Sequence, residues 1–157
     1  MAVRRDPGEL IDPLEGFLGY QLRRAALATL TALDAAFEPF GLTPREVILL
    51  RFVGANPGCN QAAISRSLGV TRTNMVPFVS RLVEQGLIER GASDGRTHAL
   101  FLTEPGKGLD QKLAEIAEAH ERRFFGAFDP VTREALTAAF RQIRASAQAA
   151  LALEQLG

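Results

Sequence analysis

The chain has 157 residues but only one cysteine, two histidines, one tyrosine and no tryptophan, and its formal net charge is zero. One cysteine excludes an internal disulfide and suits a reducing compartment, so a cytoplasmic location is expected. No apolar run approaches the roughly 20 residues a membrane span needs, and no signal-peptide pattern is visible. His98 and His120 fall on different segments, with no Asp, Glu or Cys spaced to complete a ligand set. No metal site and no cofactor are therefore expected. There is no phosphate loop and no dinucleotide-type glycine pattern, since GLIERG and GKG read as a turn and a cap. Nothing assembles a catalytic constellation, and an enzyme is not expected. Low-complexity tracts and internal repeats are absent too.

What is present is ordinary globular material: 46% hydrophobic residues, 23% charged residues, and a length that suits one structural domain. The informative stretch runs from Asn60 to Leu102. Asn60 is a helix cap, followed by apolar Ala63, Ile64 and Leu68, and Gly69 then stops the helix. Val70 is expected to tuck back into the core. Thr71 caps a second helix with Met75, Phe78, Val79 and Leu82 at i, i+3, i+4 and i+7, and Gly86 closes it. Two helices joined by a short glycine-containing turn form a helix-turn-helix, whose second helix can enter a major groove. Leu87-Ile88 and Ala99 to Leu102 then supply a two-stranded hairpin, a wing, with Asp94, Gly95 and Arg96 at its tip. Arg96 is a long cation on a narrow ribbon, suited to a minor groove or a phosphate, and Asp94 can hold its guanidinium.

Helices flank this stretch. Residues 1–12 read as a loose arm, and Leu14 to Phe40 as an amphipathic helix ended by Gly41. Thr43-Pro44-Arg45-Glu46 is a capping box that opens a helix turning Val47, Leu50 and Val53 inward. Arg45 and Arg51 on that helix either approach backbone phosphates or are simply exposed. Thr103 caps a long helix with the stripe Leu109, Leu113, Ile116, Ala117, Phe124 and Phe128. Asp129-Pro130 starts a last helix striped by Val131, Leu136, Phe140, Ile143, Ala147 and Leu151. These outer helices carry more apolar surface than one small winged domain can cover, and a helical dimerisation lobe is its natural destination. The charge is uneven in the same sense. Residues 43–103 hold seven Lys+Arg against four Asp+Glu, whereas residues 1–42 hold four against six and residues 104–157 seven against eight. The cationic excess sits where phosphates are expected.

QAAISRSLGVTRTNMVPFVSRLVEQGLIER, SDGR and the LTEPG of Leu102 to Gly106 resemble the winged helix-turn-helix of MarR-type transcriptional regulators, and the resemblance covers nearly the whole chain. It implies a mainly α fold with a small β-hairpin wing (α+β), a winged helix-turn-helix plus a helical dimerisation lobe. Residues 1–42 would be an arm and helix contributing to dimerisation, 43–103 the DNA-binding lobe, and 104–157 the C-terminal helices of the dimerisation lobe. It implies a cytoplasmic homodimer that binds double-stranded promoter DNA, a repressor released by a small-molecule effector. DNA-contacting roles then fall on Gln61, Ser65, Thr71, Arg72, Thr73, Asn74, Arg81, Asp94 and Arg96. Arg72 and Arg81 would meet phosphates, Thr73 and Asn74 base edges, and Arg96 the flanking minor groove.

Two features depart from the family's pattern. Gly95 stands where the family's wing usually has the first of two arginines. Pro77 lies inside the recognition helix, where it removes a ladder bond to the Thr73 carbonyl. The helix is expected to bend there, or Thr71 to Val76 to form a separate first turn. Two alternatives remain open. One is a winged-helix protein-interaction module without specific DNA binding. The other is a redox sensor through Cys59, whose place just before a helix start predicts a lowered thiol pKa.

Overall fold

The computed structural model describes residues 10–92 and 98–154. Six helices and a small sheet follow one another in the order α1 (Leu18–Phe37), α2 (Pro44–Ala55), β1 (Cys59–Asn60), α3 (Gln61–Leu68), α4 (Arg72–Glu84), β2 (Ile88–Gly91), β3 (Ala99–Leu102), α5 (Glu104–Phe125) and α6 (Pro130–Glu154). The first helix is shorter than the expected Leu14 to Phe40. It starts at Leu18 and gives way to a 3-10 turn over Glu38–Phe40, which Gly41 ends at φ 65°. Pro39 inside that turn has no N–H to continue the α ladder.

The capping residues act as their spacing predicts. Thr43 accepts from the Glu46 amide while Glu46 Oε2 accepts from the Thr43 amide at 2.7 Å, the reciprocal pair of a capping box. Asn60 accepts from the Ala63 amide at 2.9 Å, Thr71 from Asn74 at 3.3 Å, and Thr103 from Gly106 at 3.1 Å. Gly69 takes φ 66°, which lets the Val70 amide reach back to the Ser65 carbonyl at 3.0 Å and close α3. Val70 itself stays partly exposed instead of entering the core. Its backbone seals the helix end, and that places its side chain at the surface of the turn.

The sheet has three antiparallel strands in the order β1-β3-β2, not the two of a simple hairpin. Cys59 pairs with Leu100 and Asn60 with Ala99, so the lead-in to α3 is stitched to the wing. A two-residue strand leaves almost no periodic trace in sequence, which is why it escapes a pattern reading.

The core is the junction of α2, α4, β3 and α5. Val47, Leu49, Leu50 and Val53 meet Met75, Val79, Leu82, Ile88, Leu100 and Leu113, all buried. Glu46 is buried among them. Its carboxylate accepts from the Thr43 hydroxyl at 2.8 Å and pairs with Arg81 Nε at 3.2 Å, while Arg81 also donates to the Gly41 carbonyl at 3.1 Å. That group ties the end of α4 to the start of α2. Arg51, for which a phosphate role was open, pairs instead with Asp110 of α5 at 2.9 Å. The Nε2 atom of His120 lies 2.9 Å from the Thr29 carbonyl, linking α5 to α1. In contrast, α1 and α6 leave large side chains uncovered: Leu18 is 87% exposed, Leu27 68% and Val131 77%, with Phe140 and Ile143 close to half exposed. No helix among the described residues is long and apolar enough to cross a membrane.

Candidate nucleic-acid interface

The second helix of the helix-turn-helix, α4, buries Met75, Val79 and Leu82 and turns its other side outward. At 100° per residue, Thr73, Pro77 and Ser80 lie opposite that core-facing stripe, with Val76 on the flank nearest the sheet. The helix runs from Arg72 to Glu84 through Pro77. The separate first turn expected at Pro77 does not form, because the flanking contacts of Met75 and Val79 hold both halves to one core. Proline still removes the donor that would serve the Thr73 carbonyl.

Between α4, the start of α3 and the sheet lies an open hollow of about 610 Å³. Arg72, Thr73, Val76 and Pro77 form one wall, Gln61 an end, and Arg90 of β2 with His98 the opposite wall. Val79 and Leu100 form its floor. Gln61 Nε2 donates to the Arg72 carbonyl at 3.3 Å, which couples the two helix starts. A second hollow of about 550 Å³ opens at the turn between the helices, with Arg66, Thr71 and Arg72 along it. Cations thus line an outward-facing surface where the recognition helix projects, an arrangement that can take a polyanion along its length.

The nominated residues do not all reach this surface. Gln61, Arg72 and Thr73 share the larger hollow, and Thr71 is exposed beside Arg72 at the turn. Asn74 is exposed on the flank next to Thr73 and lines a hollow of about 280 Å³ on the α2 side with Arg45 and Phe78. Ser65 is corrected. It is 5% exposed and its hydroxyl is closed off without a partner, because it sits on the inward side of α3 next to Ile64. Arg81 is committed to Glu46 and Gly41, so its guanidinium braces α4 instead of standing free for a phosphate. Asp94 and Arg96 lie outside the described residues.

Arg66, Arg90 and Val76 were missed. The one signal available was that Arg66 and Arg90 belong to the cationic excess of residues 43–103. Cys59 is also corrected. Burial pushes its thiol up from the ordinary value, opposite to the lowering expected from the nearby helix start. A protonated thiol is a poor nucleophile, which argues against the redox alternative.

Helices α2, α3 and α4 with a short sheet, and the outward face of α4 as recognition helix, define the winged helix-turn-helix class of protein. The sequence model of the MarR family matches residues 40–97. The chain is 32% identical over 108 residues to the HTH-type transcriptional repressor Rv2887 of Mycobacterium tuberculosis, covering 68% of this chain and 78% of that one. Among solved structures it resembles the transcriptional repressor CouR bound to a 23-mer DNA duplex, with 33% identity, a TM-score of 0.77, and 87% of this chain and 99% of that one covered. It also resembles Rv2887 in complex with salicylic acid, at 26% identity and a TM-score of 0.61 over 82% and 97% of the two chains. The chain belongs to the MarR family of transcriptional regulators.

Proposed function

We propose that this protein is a homodimeric, sequence-specific DNA-binding repressor of transcription that a small-molecule effector releases. The observation that carries the reading is the larger hollow. It joins the exposed face of α4 to the wing sheet, with Arg72 on one side and Arg90 on the other. A duplex that placed α4 in its major groove would run its phosphates past both. CouR, the repressor solved on DNA, supports the same use of this fold.

In this reading residues 43–103 form the DNA-binding lobe, and residues 1–42 and 104–157 the dimerisation lobe. The uncovered side chains of α1 and α6 are its interface, since so many large exposed apolar side chains on two helices mark association. A two-fold axis sets two α4 helices about one turn of DNA apart, roughly 34–36 Å, so the operator is an inverted repeat. The salicylic acid complex of Rv2887 supports control by a small effector. An effector acts here by favouring one spacing of the recognition helices over another.

Fluorescence anisotropy against DNA from the protein's own upstream region and a shuffled control, across a salt series, tests the reading. Tight binding to the first alone, with a steep salt slope, is expected. Equal weak binding to both at low salt would exclude it.

A further inference from the structure

The outward face of α4 is short of the side chains that read most bases. From Thr73 to Ser80 its exposed positions are Thr73, Asn74, Val76 and Pro77, with Ser80 partly so. Guanine is read by a bidentate Arg or Lys, adenine by Asn or Gln, and cytosine by an acceptor such as Glu or Asp. None of these occupies the centre of the face. Asn74 points to the α2 side, and Arg81 is held by Glu46 and Gly41. The part of the face that lines the larger hollow is apolar, with Pro77 near the centre and Val76, 48% exposed, on the flank nearest the sheet. Thymine is the base that offers an apolar group, its C5-methyl, to the major groove.

We propose that Val76 and Pro77 are specificity-determining residues that read thymine methyl groups in each operator half-site. This rests on the DNA-binding reading above. Both side chains are stiff, one β-branched and one a ring, so little rotamer freedom is lost when a methyl packs against them. The hydroxyls of Thr73 and Ser80 bond to several bases and add little discrimination. Arg72 and Arg90 then position the duplex without selecting its sequence.

The test begins with selection of the preferred sequence by the intact protein from a random duplex pool. Each thymine of that sequence is then replaced by uracil, which pairs identically but lacks the methyl. Binding is measured for the wild type, Val76→Ala and Pro77→Ala. Circular dichroism checks that both variants fold, as exposed positions allow. At one or two thymines per half-site the wild type is expected to bind the uracil duplex about fourfold more weakly, the ratio for burying one methyl group. That penalty falls below about twofold in the variant lacking the matching side chain. A preferred sequence indifferent to uracil at every position overturns the inference while leaving DNA binding intact. So do penalties that persist undiminished in both variants. A pool that returns no preferred sequence defeats the DNA-binding reading, and this inference with it.

Discussion

Replacing Gly106 by alanine is expected to destabilise the protein, although the same change two residues later at Gly108 is expected to stabilise it. Both glycines lie in the first turns of α5, where alanine is favoured over glycine by about 1 kcal/mol from backbone entropy alone. Gly108 has nothing within 4 Å of where a Cβ would stand, so it keeps that gain. At Gly106 the Cβ would lie 2.0 Å from the Leu87 carbonyl oxygen, against 3.4 Å or more for an ordinary contact. The two segments would have to part by about 1.4 Å. They cannot part freely, because the Leu87 carbonyl accepts from the Thr103 amide at 3.1 Å and the Thr103 hydroxyl donates to the Gly86 carbonyl at 2.5 Å. Strain of this kind costs about 1–3 kcal/mol, and a lost hydrogen bond about 1 more. After the propensity gain, a net loss of about 1–3 kcal/mol remains. For a chain of this size that lowers Tm by roughly 3–10 °C, read by thermal denaturation at fixed protein concentration. A Gly106→Ala protein that melted with or above the wild type would refute the reasoning. Two glycine variants shifting in the same direction would do so as well.

Arg81→Ala removes the partner of the buried Glu46 carboxylate, and a loss of about 2 kcal/mol is expected in urea denaturation, reduced from the value for a fully buried pair because Arg81 is half exposed. Its salt slope for DNA should stay near that of the wild type while Arg72→Ala lowers the slope by about 1, and the reverse order would restore Arg81 to the phosphate contacts. Because burial holds the Cys59 thiol above its ordinary pKa, less thiolate is present near pH 7.5. Iodoacetamide should therefore alkylate the folded chain more slowly than the urea-unfolded chain, with the folded rate rising only at higher pH. Faster reaction of the folded chain would count against that environment. Phe140→Glu places a charge on the uncovered face of α6, and analytical ultracentrifugation is expected to find a dimer for the wild type and mostly monomer for the variant. Unchanged sedimentation would move the interface elsewhere.

The sequence by itself determined the local elements. Thr43, Asn60, Thr71 and Thr103 are caps whose partners lie three residues on, so their roles are complete within one turn of chain. The apolar spacing of α4 likewise states which side of it is inward. The helix-turn-helix and the wing were legible in the same way, and the family resemblance added the DNA-contacting roles assigned to particular residues. Tertiary structure decided what depends on residues far apart in the chain. Glu46 looks like a cap alone until Arg81, thirty-five positions later, reaches it. Ser65 reads as an exposed helix polar residue, and only the packing of α3 closes its hydroxyl off. Arg90 is one of many surface cations in the sequence, and becomes a wall of the hollow because β2 pairs with β3 beside α4. A nearby helix start predicts a more acidic Cys59, yet the pairing of Cys59 with Leu100 partly buries it and reverses the sign. Short-range hydrogen bonding and periodicity are written into consecutive residues. Burial is a property of the whole packed chain.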